Sequence, residues 1–237
     1  MPTQMPRGTL IAIEGIDGAG KRTQLERLTA ALDQRGIPHF CISFPRYDSF
    51  FGQLVARYLN GEFGPLTNVD PHFSALLYAG DRLEAKSELE TALADGRVVL
   101  ADRYIGSNLA HQGARVPPSH REEYLNWLRR LEYTIYALPA EDLVIYLRLP
   151  AEQAQRLIDR KSARSYTPHR RDLHEADLTH LHDAAQVYDR LAREPNWIQV
   201  ECFDPARQAL RSPDEIHQDV LAAVSAHLLH ATRTQKQ

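Results

Sequence analysis

The sequence predicts an α/β fold of the doubly wound kind, a five-stranded parallel sheet with helices on both faces. Two observations carry this. Five short apolar or β-branched runs punctuate the chain. Longer stretches between them repeat apolar residues at three- and four-residue spacing. Strands that alternate with helices in this way close into a parallel sheet, whose binding sites lie at the carboxyl ends of the strands.

The strands are expected at residues 9–14 (TLIAIE), 38–43 (PHFCIS), 97–101 (RVVLA), 142–148 (DLVIYLR) and 197–202 (WIQVEC), each bounded by polar, Gly or Pro residues. Helical spacing shows in Gln24-Leu25-Leu28-Leu32, Leu54-Val55-Tyr58-Leu59 and Tyr124-Trp127-Leu128-Leu131. At 237 residues and 43% hydrophobic content the chain suits one domain, 1–237, with a full core. One segment breaks the pattern. Residues 160–175, RKSARSYTPHRRDLHE, are basic and almost free of aliphatic side chains, which predicts an exposed cover; the polar tail at 231–237 is expected to fray.

Composition excludes several classes. A formal net charge of −3 leaves no global field for nucleic acid or an anionic membrane. No apolar run reaches the roughly 20 residues of a spanning helix, and MPTQMPRG lacks the apolar core of a signal peptide, so a cytoplasmic location is expected. Cys41 and Cys202 stand singly in apolar stretches and read as small core residues. His169, His174, His180 and His182 offer no i,i+3 or i,i+4 pair, which argues against a zinc site.

Directly after the first strand comes Gly15-Ile16-Asp17-Gly18-Ala19-Gly20-Lys21, followed by helical spacing. Strand, glycine-rich loop and helix in that order give G-x-x-x-x-G-K its meaning as a phosphate-binding P-loop. Backbone N–H groups close around phosphate oxygens where side chains do not intervene, and the helix N-terminus adds positive potential. Lys21 supplies a point charge for the β- and γ-phosphates of ATP. The motif's Ser or Thr for Mg²⁺ is replaced by Arg22, and Thr23 lies one position further around the helix. Either carboxylates and water hold magnesium with Thr23 assisting, or the site binds nucleotide with weakened turnover.

Further motifs follow in order: Glu14-Gly15-Ile16-Asp17, Phe44-Pro45-Arg46, Leu77-Tyr78-Ala79-Gly80-Asp81-Arg82, Asp102-Arg103-Tyr104, Ser107-Asn108 and His111-Gln112-Gly113. Together they resemble the thymidylate kinase family along nearly the whole chain. The resemblance implies a P-loop NTPase-type kinase that moves the γ-phosphoryl group of ATP to dTMP, with Mg²⁺. It places Asp17 near the acceptor sugar and Arg46 at the acceptor phosphate. Tyr78 would stack on the base and Arg82 bond its carbonyl, a spacing of four putting both on one helical face. Asp102 would serve magnesium or proton handling, and Arg103 the transferred phosphate, which its planar fork can grip. Asn108 and Gln112 match positions at the pyrimidine edge, and His111 an aromatic position near the sugar. Arg160, Lys161 and Arg164 resemble a lid that closes arginines over the phosphates, Arg164 being the candidate catalytic charge. The family is usually homodimeric. Two rivals stand beside this reading: a kinase for another monophosphate such as dUMP or CMP, and a nucleotide-binding module without turnover, motivated by Arg22.

Overall fold

The computed structural model describes residues 7–158 and 178–234. The strands are β1 (Thr9–Glu14), β2 (His39–Ser43), β3 (Val98–Asp102), β4 (Leu143–Arg148) and β5 (Trp197–Glu201), in the spatial order β2-β3-β1-β4-β5. Every pair is parallel. Each boundary lies within one residue of the sequence expectation. In β1, β3 and β4 successive residues are buried with almost no interruption. Because successive side chains point to opposite faces, such runs mean that both faces are covered, and Val, Ile and Leu fill them accordingly.

The helices are α1 (Lys21–Gln34), α2 (Phe50–Leu59), α3 (Pro71–Glu84), α4 (Lys86–Ala94), α5 (Ile105–Gly113), α6 (Pro118–Arg129), α7 (Ala151–Ile158), α8 (Leu178–Leu191) and α9 (Pro213–Thr234). Pro71 and Pro118 open their helices at first-turn positions, where no N–H is needed. Helix α1 packs against α9, and α5 against α3 and α8. Residues Arg130–Ile135 continue α6 as a π-helical turn that the apolar spacing through Leu131 did not reveal. A two-stranded hairpin, Phe203–Asp204 with Ala209–Leu210, also escaped the sequence reading.

The edge strands explain one correction. Cys202, just past β5, is buried as expected, but Cys41 is exposed. It sits on β2, which has a neighbour on one side only and buries just Ile42 among its five residues. An apolar stretch on an edge strand is not thereby a core stretch. No helix among the described residues is long and apolar enough to cross a membrane.

The winding reverses between two central neighbours: β1 leads to β2 on one side, whereas β3 leads to β4 on the other. Their carboxyl ends are in register, Ile13 beside Asp102, so the loops leaving them share one crevice.

Candidate active site

The loop 15–20 joins β1 to α1 and turns on residues that only glycine accommodates well. Gly18 has φ 87°, and a Cβ there would lie 2.8 Å from the carbonyl oxygen of Ala154 in α7. Gly20 has φ 90° immediately before the first residue of α1. No side chain caps that helix end, so the first N–H groups of α1 have no side-chain acceptor there. Lys21 folds back across the loop, and its Nζ donates to the carbonyl oxygens of Gly15 at 2.9 Å and Ile16 at 3.0 Å.

Arg103 reaches the same loop from the end of β3. Its backbone takes the left-handed conformation, φ 67°, while its N–H donates to Ile13 O. For an arginine this conformation is strained. Nη2 donates to Asp17 Oδ1 at 2.7 Å; Nη1 donates to Gly15 O at 3.3 Å, to Ser107 Oγ at 3.2 Å and to His111 Nε2 at 3.3 Å. Since the guanidinium can only donate, His111 Nε2 accepts, and its proton sits on Nδ1, 3.4 Å from His180 Nε2.

Two cations thus share one carbonyl oxygen. Burial, reinforced by Arg103, holds the Lys21 ammonium down to about 7, against the opposing pull of Asp17, Asp102 and Glu14. Burial also works against the charge on Arg103, but Asp17, Tyr188, Asp102 and Glu14 together outweigh it and hold that pKa above the usual value. Burial and then Arg103 keep the His111 ring well below the ordinary histidine range, so it is neutral. Asp102 ends β3 with Oδ1 buried and unpartnered.

A residue whose part the motifs did not disclose organises this crevice. Glu14 is fully buried at the end of β1. Its Oε1 accepts from the N–H groups of Tyr104 and Ser107 at the start of α5, and Oε2 accepts from Ser107 Oγ and Tyr188 Oη. One carboxylate therefore ties β1, α5 and α8 together around Arg103, and it meets the positive end of α5.

The second cluster lies where α3, α5 and the π-helical turn meet. Arg82 is 2% exposed, and its fork clasps fully buried Glu132: Nε to Oε2 at 2.5 Å, Nη2 to Oε1 at 2.6 Å. Asn108 Nδ2 donates to Glu132 Oε1 at 2.8 Å and to Ala75 O at 3.1 Å, which leaves Oδ1 buried without a partner. One turn on, Gln112 Oε1 accepts from Ser74 Oγ at 2.7 Å and Arg115 Nη1 at 2.9 Å, and Nε2 is unpartnered. An unsatisfied buried polar atom costs about 1–3 kcal/mol, and Asp102, Asn108 and Gln112 each carry one in this crevice. Tyr78 is half-buried, edge-on to Tyr58 at 6.3 Å between centroids.

Not every candidate converges here. Arg46 is engaged by Asp81, donating from its backbone N–H at 2.7 Å and from Nε at 3.1 Å, with Glu84 and Glu88 nearby. Arg22 points into solvent, 86% exposed, paired with Glu26 at 2.9 Å. Thr23 is exposed as well. The lid candidates Arg160, Lys161 and Arg164, with His169 and His174, lie outside the described residues. Among those described, no group of three His, Cys, Asp or Glu could hold a metal by itself.

The thymidylate kinase family model matches residues 13–219. The thymidylate kinase of Mycobacterium tuberculosis is 34% identical over 212 residues, covering 86% of this chain and 98% of its own. A probable thymidylate kinase of Pyrococcus horikoshii is 32% identical over 228 residues, covering 94% and 98%. Among solved structures, the thymidylate kinase of Candida albicans shares the fold, with a TM-score of 0.72, 94% of both chains covered and 21% identity. A family match that spans both the phosphate loop and the buried cluster around Arg82 leads to one statement: the chain belongs to the thymidylate kinase family.

Proposed function

We propose that the protein transfers the γ-phosphoryl group of ATP to dTMP, giving dTDP and ADP. The observation that supports this most is the crowding of Lys21 and Arg103 on the Gly15 carbonyl oxygen. Buried Lys21 and partly buried Arg103 both donate to one neutral carbonyl oxygen, beside a helix end that has no side-chain cap. Phosphate oxygens would give Lys21 an anionic partner in place of the carbonyl oxygens of Gly15 and Ile16. Phosphoryl transfer needs little covalent help, so the chain's task is to align two nucleotides and neutralise the charge between them.

In this reading residues 15–23 (Gly15, Ile16, Asp17, Gly18, Ala19, Gly20, Lys21, Arg22, Thr23) hold the donor phosphates. Lys21 swings from its carbonyl contacts onto the β- and γ-phosphates. Arg103, steered by Asp17 and Glu14, grips the phosphate in transit. Asp17 and neutral His111 meet the acceptor sugar, Arg46 the acceptor phosphate, and Tyr78 with Arg82, Asn108 and Gln112 the pyrimidine. Lid arginines, Arg164 among them, exclude water. The unpartnered Asp102 oxygen suits Mg²⁺, which prefers one or two carboxylates plus substrate phosphates, with Thr23 as an accessory ligand; when bound, the ion neutralises phosphate charge. Arg22 faces solvent and leaves the loop clear, which favours a working enzyme over a passive binder. The protein acts in the cytoplasm as a homodimer. Phe73, Leu76 and Leu83 lie exposed along one side of α3, and a second copy would cover them.

A coupled ADP assay over a panel of monophosphates tests the reading. dTDP forms fastest from ATP and dTMP with Mg²⁺, and Arg103→Met lowers kcat by roughly 10³-fold. Preference for another acceptor refutes the substrate. Binding of both nucleotides without turnover, restored by Arg22→Ser, refutes the enzyme.

A further inference from the structure

The base-reading end of the site is arranged by a carboxylate that the reaction does not touch. Glu132 is fully buried in the π-helical turn Arg130–Ile135, on the face that α6 buries through Leu128. As a carboxylate it offers only acceptors. Arg82 takes both oxygens, and Asn108 Nδ2 takes a third bond. The second hydrogen of that Nδ2 goes to the Ala75 carbonyl, again a pure acceptor. The Asn108 amide therefore cannot turn over, because its oxygen would then meet Glu132 and Ala75 with no hydrogen between them. Oδ1 is the atom left over, and it is buried and unpartnered on a residue 2% exposed.

We propose that Glu132 is a positioning residue that sets base selectivity. By locking the amide of Asn108 it makes that residue present an acceptor, so the site takes a pyrimidine with an N–H at ring position 3, as in thymine or uracil. A base with a bare nitrogen there, as in cytosine, meets an oxygen and is rejected. This rests on the reading above that Asn108 meets the pyrimidine edge. Discrimination of this kind is strong, because the wrong base leaves buried polar atoms facing like partners.

Glu132→Gln tests it. The new amide offers one oxygen where the carboxylate offered two, so Arg82 and Asn108 compete for it and the Asn108 amide is no longer held firmly. KM for dTMP rises while kcat changes little, and the kcat/KM ratio of dTMP to dCMP falls at least tenfold. Should that variant not fold, Glu132→Asp keeps the charge for Arg82 and withdraws the oxygen from Asn108, with the same fall expected. Wild-type protein assayed with N3-methyl-dTMP separates the two layers. If the methylated nucleotide is used as well as dTMP, the pyrimidine reading of Asn108 is wrong. If wild type rejects it but both Glu132 variants keep the wild-type dTMP to dCMP ratio, Glu132 has no part in selectivity.

Discussion

The two ends of the crevice bury charge in opposite ways. At the phosphate loop, Lys21 and Arg103 converge on one carbonyl oxygen, and burial with mutual repulsion pushes the lysine down to about 7. At the other end burial also works against Arg82, but Glu132 overcomes it and drives the pKa up. In the first arrangement Arg103 is paired with Asp17 but Lys21 meets only carbonyl oxygens; the second is closed by an ion pair. The difference follows the ligands proposed for them: anionic phosphates complete a positive site, whereas a neutral base needs fixed dipoles aimed by a neutralised scaffold.

The sharpest way to break this comparison is to remove one charge from each end. Glu132→Leu strands Arg82 in the interior and should destabilise the fold by about 3–5 kcal/mol. Lys21→Met should do the reverse in nucleotide-free protein, raising stability by about 1–3 kcal/mol at pH 7 while abolishing turnover, because it removes a buried ammonium that folding disfavours. Urea unfolding reads both. Two losses of similar size would mean that the phosphate loop is as self-satisfied as the base pocket.

Legibility follows the same division. A P-loop is written in consecutive residues because backbone makes it, and Gly15 through Lys21 announce it without help. The central strands are legible for a related reason, since burial on both faces demands the unbroken runs seen in TLIAIE and LVIYLR. The base pocket is written in scattered residues whose meaning depends on contacts across the chain. Glu132, inside the helical-looking LRRLEY, falls four residues after Leu128 on the apolar face of the helix, but nothing in the sequence names Arg82, fifty residues earlier, as the partner that a buried carboxylate needs. Arg46 could be placed at the exit of β2 from its motif, but not its pairing with Asp81, 35 residues away. Glu14 is legible only as a neighbour of the loop, because its three partner residues, Tyr104, Ser107 and Tyr188, lie far along the chain at the start of α5 and in α8.

The depressed lysine sharpens the comparison through pH. A folded-state value near 7 lies below the ordinary 10.5, so between those limits the unfolded chain binds the extra proton. Stability of the nucleotide-free protein should therefore rise as pH climbs from about 7 toward 10.5, and Lys21→Met should flatten that slope. ADP restores the charge by placing phosphates beside the ammonium. Its binding at pH 8 should take up close to one proton, and markedly less at pH 6, where Lys21 is already charged. Titration calorimetry in buffers of different ionisation enthalpy reads the uptake; equal heats in all buffers at pH 8 would remove the premise of an incomplete site.

The smallest expected effect separates shape from charge within the loop itself. Gly18 and Gly20 have nearly the same φ, 87° and 90°, yet their surroundings differ. A Cβ at Gly20 meets nothing within 4 Å, so Gly20→Ala should cost only the backbone strain, about 1–2 kcal/mol. At Gly18 the same methyl strikes the backbone of Ala154, and a carbonyl in a buried helix turn cannot withdraw as a side-chain tip can. Gly18→Ala should therefore carry the same strain plus a displacement of the loop from α7, and so lose more stability and weaken ADP binding. Equal losses in the two variants would show that α7 yields freely, and that the loop owes its shape to its own dihedrals and not to the helix behind it.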